Sequence, residues 1–386
     1  MVKKNLSAEN YPQISTNRVL RPTYTEIDLS AISANFKAVK KRAGRSKVMP
    51  ILKANGYGHG LVKVAECLEN LGADYLGVAV LEEGILLRES GIKSPILVLG
   101  GILGNQIPLF LKNDLTLTAS SIEKLELIEK AAASLNIKAK VHLKIDTGME
   151  RIGVHYYNAN SFIEKAFTFK NILVEGLFSH FADSASSDLS YSRLQLQRFN
   201  EAVDFAEKSG FEIPLKHISN SGGILQLPEA DFDLVRPGIL LFGVYPSDEV
   251  KQTISVVPAL TWKSRVVYFK VIKANHPVGY GMQWKSSKQI RAVTVPVGYG
   301  DGYFRSMTER AEVLINGKRY PVIGRISMDQ IVVNIGDDSA YNNDEVVLIG
   351  KQGKEEITVS DLSKWAGTVP YEILTNINTR VPRVYS

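Results

Sequence analysis

A single cysteine and the lack of any long apolar run set the first limits on this chain of 386 residues. With only Cys67 present, an intramolecular disulfide framework is excluded. Cys67 lies among helix formers in VAECLEN, a setting typical of an inert buried thiol rather than of a nucleophile. Because no run of about 18 apolar residues occurs, no membrane-spanning helix is predicted. The first residues, MVKKNLSAENYPQ, have no apolar stretch behind their two lysines, so we expect no secretory signal and favour the cytoplasm.

The chain also has little excess charge of either sign. Lysine and arginine number 46 against 40 acidic residues, and the net charge of +6 is modest for this length. Basic residues are spread out apart from short clusters such as Lys40-Lys41-Arg42, so no nucleic-acid partner is predicted. A small anionic ligand would account for part of the excess equally well. With 45% hydrophobic residues, the chain can bury a sizeable core.

The first two thirds of the chain alternate between apolar strand-like runs and amphipathic helical stretches. After an irregular arm over 1–22 and a short strand over 23–28, eight apolar runs follow, at 47–52, 74–80, 95–100, 115–119, 140–146, 172–180, 215–219 and 232–238. Eight such runs, most of them separated by helices, predict an α/β fold of the (β/α)8 TIM-barrel type. A doubly wound open sheet is the alternative, but no GxGxxG motif follows the first strand.

Helical periodicity nearly vanishes after about residue 250, and short β-rich runs take over. Asn316-Gly317 separates AEVLI from KRYPV, and both residues tolerate the positive φ angles of a tight hairpin. We therefore predict a barrel domain over 23–248 and a mostly β C-terminal domain over 249–386. The alternative for the strand over 23–28 is that it packs with the C-terminal domain.

Chemically capable residues follow the predicted strands, at the barrel face where active sites form. The first barrel strand ends in ILKANGYGHG, where Lys53 leaves an apolar run for a glycine-rich turn. Partial desolvation there would lower the lysine pKa and suit Schiff-base chemistry. A lysine that only extends from the strand end into water is the alternative.

Later strand ends carry further groups of this kind. KIDTGMERIGV places Lys144, Asp146 and Arg151 near one rim, and the next runs end in His180, in HISNSGG from His217, and in VRPGI at 235–239. Ser221-Gly222-Gly223 and Gly238-Ile239 are small-residue turns whose backbone N–H groups can close on a phosphate. Each group alone has a structural explanation. Together they predict a barrel enzyme with a reactive lysine and a phosphate site.

Read together, these segments resemble the alanine racemase family along nearly the whole chain. KANGYGHG matches the family's cofactor-lysine signature, and KIDTGMERIGV, HISNSGG, DLVRPGILLFG, GYGDGY, GRISMDQ and PYEILTNINTRVPRVY follow in the family's order. The resemblance implies pyridoxal 5'-phosphate at the barrel mouth, alanine as substrate, supply of D-alanine for peptidoglycan, and a homodimer whose C-terminal domains reach the partner's site.

The resemblance also assigns the cofactor contacts. Lys53 would hold the cofactor covalently, His217 would lie against its pyridine ring, and Arg236 would face the ring nitrogen. A guanidinium keeps its own proton, so it donates to that nitrogen and leaves it unprotonated. The phosphate would be bound by Tyr57, Ser221, Gly238, Ile239 and Tyr371.

For racemisation, the resemblance implies one base on each face of the substrate α-carbon. Lys53 would serve the D face and the partner subunit's Tyr280 the L face, with Arg151 and His180 around the phenol. Arg151 and the backbone N–H of the partner's Met328 would bind the substrate carboxylate. Lys144 matches a lysine that many members carbamylate, which would hold Arg151 in place. An unmodified surface lysine is the alternative for Lys144.

Three other functions stay open at this point. Related barrel decarboxylases usually set a carboxylate against the ring nitrogen and supply a cysteine from the partner subunit, whereas this chain has VRPG and no cysteine after Cys67. Non-catalytic carriers of the cofactor consist of a barrel alone, so the predicted C-terminal β domain argues against that function. A racemase of broader specificity that also accepts serine would differ by one hydroxyl, which is weakly discriminated.

Overall fold

A computed structural model describes residues 20–386. The described chain divides into two compact units, one formed by Leu29–Ala259 with Val369–Thr375, the other by the residues up to Asp28 with Leu260–Thr368 and Asn376–Ser386. The arm predicted over 1–22 lies outside the described residues except for its last three. Within residues 20–386, no helix is both long and apolar enough to cross a membrane.

The first unit is a closed barrel of eight parallel strands. Its last strand pairs in parallel with its first, and Asp233 N–H donates to Lys216 O at 3.1 Å and Arg236 N–H to Ser219 O at 3.0 Å between the last two strands. The strands are Lys47–Val48, Leu76–Val78, Ile96–Val98, Leu117–Ala119, Ala139–Asp146, Ile172–Phe178, Leu215–His217 and Leu234–Val235, with Val154–His155 beside the end of the fifth. The predicted (β/α)8 barrel is confirmed.

Helices surround these strands, and Ile122–Leu135 shows why they form. Ser121 caps this helix by accepting a hydrogen bond from Lys124 N–H. Leu125, Ile128 and Ala132 are buried at spacings of three and four, and Asn136 ends the helix in the left-handed conformation. The helices of this unit are Leu29–Ala43, Lys53–Tyr57, Leu61–Asn70, Leu81–Glu89, Ile107–Lys112, Ile122–Leu135, Ala159–Phe167, Ser190–Lys208, Ser221–Gln226 and Pro370–Thr375.

The second unit is built on a ten-stranded sheet. Asn316 and Gly317, at φ 51° and 75°, connect two antiparallel strands, so the predicted hairpin is confirmed. Tyr24–Ile27 belongs to this sheet, between Leu260–Arg265 and Arg383–Tyr385. The other strands of the sheet are Tyr268–Ile272, Ile290–Val295, Glu312–Ile315, Lys318–Ile323, Ile331–Gly336, Glu345–Gln352 and Glu355–Ile357, and the unit also contains the short pair Pro277–Val278 and Trp284–Lys285 and the helix Val359–Ala366.

Candidate active site

A cavity of about 610 Å³ opens at the carboxyl ends of the barrel strands. Most of the site residues expected in the barrel line it, and His217 lies directly behind them through its contact with Arg236. The expected residues along the cavity wall are Lys53, Tyr57, Lys144, Arg151, His180, Ser221, Arg236, Gly238, Ile239 and Tyr371. The barrel therefore gathers at one mouth groups that lie more than 300 residues apart in sequence.

The chain turns sharply left-handed straight after Lys53. Ala54, Asn55, Gly56 and Tyr57 have φ angles of 53°, 55°, 60° and 51°, a conformation that costs about 1–2 kcal/mol for an ordinary side chain. Local hydrogen bonds hold the turn, with Gly56 N–H donating to Leu52 O at 2.8 Å. The strained turn leaves Lys53 at the cavity wall.

Gly58 completes this turn and requires glycine for two reasons. Its φ is 81°, which only glycine adopts freely. A Cβ there would also lie 2.2 Å from the Leu374 carbonyl oxygen. The close approach holds the lysine turn against the segment that carries Tyr371.

The pKa of the Lys53 amine lies below its ordinary value. Partial desolvation of the amine at the cavity wall is the main cause, and the positive charge of Arg151 lowers the pKa further, with a smaller contribution from Arg236. Glu83 acts in the opposite direction. Lys53 is therefore more readily neutral, and thus nucleophilic, than a lysine on a free surface.

The buried phenol of Tyr57, the half-buried phenol of Tyr371 and Gly238 form a recess in the cavity wall. Burial raises the pKa of Tyr57 well above its usual range and that of Tyr371 to about 12, so both remain hydroxyl donors. Gly238 N–H donates to Ser221 Oγ at 3.0 Å, and a Cβ at Gly238 would lie 2.5 Å from Tyr57 Oη. Neutral hydroxyl donors beside a glycine backbone suit a phosphate group.

Arg236 lies buried at the centre of a hydrogen-bond network. One terminal nitrogen donates to His217 Nδ1 at 2.6 Å. The other donates to the carbonyl oxygens of Ser179 at 2.8 Å and Ile218 at 2.9 Å and also lies 3.1 Å from His180 Nδ1. Burial lowers the Arg236 pKa to about 9, which still leaves the guanidinium charged at neutral pH. Among residues 20–386, no carboxylate forms an ion pair with it.

The three histidines of this network are neutral. Because Arg236 donates to Nδ1 of His217, that ring carries its proton on Nε2, which donates to His142 Nδ1 at 2.8 Å. Burial and the charge of Arg236 lower the pKa of His142 to about 3 and hold those of His217 and His180 well below the usual range. His180 therefore carries no positive charge at the cavity wall.

Sequence reasoning missed His142 and Phe178. Phe178 stacks on His217 with ring centres 4.9 Å apart and planes at 8°. The two-residue period of the strand Ala139–Asp146 places His142 on the same face as Lys144, so that period would have identified it. No local pattern identifies Phe178.

Lys144 is buried, so the alternative of a surface lysine does not hold. Its Nζ lies 4.6 Å from the centre of the Phe178 ring, and burial together with Arg236 holds its pKa well below the ordinary value.

Asp146 orders the loop that follows it. Burial opposes ionisation of its carboxyl group, but hydrogen bonds from the N–H groups of the following loop outweigh the effect of burial and lower the Asp146 pKa. The last of these bonds comes from Arg151 N–H at 3.1 Å, so Asp146 orders the loop that carries Arg151.

The remaining two expected residues, Tyr280 and Met328, belong to the other unit. Tyr280 follows Gly279 in a single 3-10 turn and is 70% exposed. Met328 is 51% exposed, and its carbonyl accepts a hydrogen bond from Gly300 N–H at 2.9 Å. Its own N–H donates to no group in the described part of the chain. Both residues thus present free groups at the surface of their unit.

The fold and the cavity define a class of enzyme. A (β/α)8 barrel has a lysine of lowered pKa at the end of its first strand, a recess of neutral donors and a buried arginine, and such a site suits covalent chemistry on an anionic carbonyl cofactor.

Family models agree with this class of enzyme and identify the family within it. The model described as alanine racemase, N-terminal domain, matches residues 27–246, and that described as alanine racemase, C-terminal domain, matches 259–385. The chain belongs to the alanine racemase family.

Individual relatives extend the likeness over almost the full length. The alanine racemase of Carboxydothermus hydrogenoformans is 44% identical over 95% of this chain and all of its own, and that of Halothermothrix orenii is 41% identical over 95% and 98%. Among solved structures, the alanine racemase from D-cycloserine-producing Streptomyces lavendulae superposes with a TM-score of 0.92 at 36% identity, covering 96% of this chain and 98% of its own. That from Clostridium difficile 630 gives a TM-score of 0.90 at 37% identity, covering 96% and 97%.

Proposed function

We propose that this chain interconverts L- and D-alanine with pyridoxal 5'-phosphate as cofactor, as one half of a homodimer with shared active sites. The observation that carries the proposal is the pairing of Lys53, whose pKa is lowered, with a buried and charged Arg236 across one cavity. Family membership supports alanine as the substrate. We further propose that the product D-alanine supplies peptidoglycan synthesis in the cytoplasm.

The barrel residues fit the cofactor group by group. Lys53 would bond to its aldehyde carbon, and Tyr57, Tyr371, Ser221 and the backbone at Gly238 and Ile239 would hold its phosphate. The close approach of the Tyr57 hydroxyl to Gly238, which leaves no room for a Cβ there, supports that placement. Arg236 would donate to the ring nitrogen, with His217 against the ring. When bound, the cofactor withdraws electrons from the substrate α-carbon, which makes the α-proton removable.

The chain's own residues then bind the substrate and move the proton. Arg151 and the N–H of the partner's Met328 bind the carboxylate and so orient the α-carbon. Lys53 Nζ takes or returns the proton on the D face, and Oη of the partner subunit's Tyr280 does so on the L face. The C-terminal β domain thus contributes to the site of the other subunit. We propose that Lys144 is carbamylated and holds Arg151 in place.

Arg236 limits side reactions because it keeps its proton. A carboxylate at this position would favour a protonated ring and a stronger electron sink, as decarboxylation requires. The contacts of Arg236 with neutral histidines and carbonyl oxygens leave no acid to protonate the ring nitrogen. The same contacts support a racemase over a barrel decarboxylase.

Two measurements test the proposal. Borohydride reduction of the purified protein should fix pyridoxyl on the peptide that contains Lys53, and circular dichroism should follow loss of optical activity of L-alanine, with L-serine incubated separately. A label on another lysine contradicts the assignment of Lys53. Absence of bound cofactor contradicts the cofactor itself, and carbon dioxide release contradicts racemisation. Equal rates with serine favour the racemase of broader specificity.

A further inference from the structure

The carboxylate of Glu83 connects the lysine turn to the neighbouring barrel strand. Glu83 is the third residue of the helix Leu81–Glu89 and is half-buried. One of its oxygens accepts a hydrogen bond from Ala54 N–H at 2.6 Å. The other accepts from Ala79 N–H at 2.8 Å and from Val80 N–H at 3.4 Å. One side chain therefore binds the N–H groups of two separate segments.

The contact with Ala54 falls at the point that decides where Lys53 lies. Ala54 N–H belongs to the peptide group between Lys53 and Ala54, so binding it restrains ψ of Lys53 and φ of Ala54. At the same peptide the chain enters its left-handed turn, with Ala54 at φ 53°, a conformation that alanine does not adopt by itself. Without an external acceptor for the Ala54 N–H, rotation of this peptide group would relieve the backbone strain, and the Lys53 side chain would move with it.

A carboxylate is the side chain that suits this position. It offers acceptors at both ends and no donor, so each oxygen can face backbone N–H groups, and its charge strengthens both bonds. An amide would turn one NH2 group toward a backbone N–H. The charge of Glu83 also opposes the lowering of the Lys53 pKa that burial and Arg151 cause.

We infer that Glu83 is a positioning residue for Lys53, holding the peptide after the lysine so that its amine faces the cavity in reactive geometry. The inference rests on the proposed role of Lys53 as the reactive amine. Glu83 itself contacts neither the substrate nor the reacting atoms.

Kinetics of matched variants test the positioning role. Glu83→Ala removes all three hydrogen bonds, and we expect kcat to fall by about 10–100-fold, as small misplacements of a reacting group do. KM for alanine should change by less than about threefold, because the proposed carboxylate contacts are untouched. Glu83→Gln, which keeps one acceptor, should recover part of kcat. Glu82→Ala should match the wild type, since Glu82 is exposed and forms no hydrogen bond or ion pair within residues 20–386.

A second readout needs no activity. Trace acetylation of the apoprotein at a series of pH values, with the Lys53 peptide quantified by mass spectrometry, reports the pKa of that amine. Removal of a nearby anion disfavours the ammonium form, so Glu83→Gln should lower the Lys53 pKa relative to wild type, whereas Glu82→Gln should leave it unchanged. Thermal unfolding of each variant shows whether the barrel is intact.

The outcomes separate this inference from the proposed function. Wild-type kcat in Glu83→Ala, or an unaltered Lys53 titration in folded Glu83→Gln, overturns the positioning role. A loss of kcat that only follows loss of folding, with Glu83→Gln equal to wild type in both readouts, overturns it as well. Racemisation that survives in Lys53→Ala instead contradicts the proposed function, whatever the Glu83 variants do.

Discussion

The two units of this chain present their proposed catalytic groups in opposite ways. At the barrel mouth, Arg236 and His217 are buried and fixed by several hydrogen bonds, and a strained turn holds Lys53 at the cavity wall. In the β unit, Tyr280 is 70% exposed on a single turn. The barrel half of the site is thus preorganised by its own chain. We propose that the β half acquires its surroundings only from a second subunit.

The largest expected effect is a loss of activity when either proposed base is removed, and at Tyr280 this loss should come without a loss of stability. Lys53→Ala and Tyr280→Phe should each lower racemisation by about 10³-fold or more, since each removes one of the two proposed proton carriers. Tyr280→Phe should nevertheless change the free energy of unfolding by less than about 0.5 kcal/mol, because the hydroxyl lies on an exposed residue. Rates in both directions and urea unfolding measure this. A strongly destabilised Tyr280→Phe protein would show that the phenol has a structural role in its own unit.

Mixing these two variants tests where the two bases come from. With equal amounts and free exchange, about half of the dimers become hybrids, in which one site carries both lesions and the other is intact. Activity should return to about a quarter of wild type. If Lys53 and Tyr280 served the same site within one chain, each hybrid site would keep one lesion and nothing would return. Differently tagged chains, purified as hybrids, verify that exchange occurred.

A smaller effect is expected from one methyl group at the barrel mouth. In Gly238→Ala the new Cβ would lie 2.5 Å from Tyr57 Oη, so the phenol or the loop must move, at a cost of about 1–3 kcal/mol. We expect affinity for pyridoxal phosphate to fall by about 10-fold or more, measured by titration of the apoprotein. Gly101→Ala is the matched control on the same cavity, because its Cβ would meet only Ile152 Cδ1 at 3.4 Å. Equal losses in both variants would contradict a specific recess at Gly238.

Patterns within one element predicted the barrel well. Strands such as Leu76–Val78 are buried at every position, so they appear as continuous apolar runs, and chemical groups at strand ends converge because a parallel barrel brings those ends together. The family motifs supplied the roles of Lys53, Tyr280 and Met328, which no periodicity reveals. The roles themselves stay predictions.

Contacts between distant segments could not be predicted from the sequence, and the reason is physical. Glu83 binds Ala54, 29 residues away, only because the chain after Lys53 turns left-handed, and Ala and Tyr give no sign of such a turn. Val369–Thr375, which carries Tyr371, packs with the barrel unit although it follows the second unit in sequence. Both features arise from tertiary packing and not from local preference.

The smallest expected effect concerns the buried histidines behind Arg236. His142 has a pKa of about 3 in the folded protein against about 6.5 for an unfolded chain. As pH falls below about 6.5, the unfolded chain therefore binds a proton that the folded chain does not, and stability decreases by up to about 1.4 kcal/mol per pH unit for each such histidine. His142→Gln keeps an acceptor for the His217 N–H and does not titrate. Between pH 6 and pH 5, urea unfolding of the apoprotein should show a loss of stability about 1 kcal/mol smaller in His142→Gln than in wild type.

His276→Gln, at an exposed position of the β unit, is the control and should keep the wild-type slope of unfolding free energy against pH. Equal slopes for His142→Gln and wild type would mean that His142 gains its proton in the folded barrel, so that the neutral network behind Arg236 does not persist in acid.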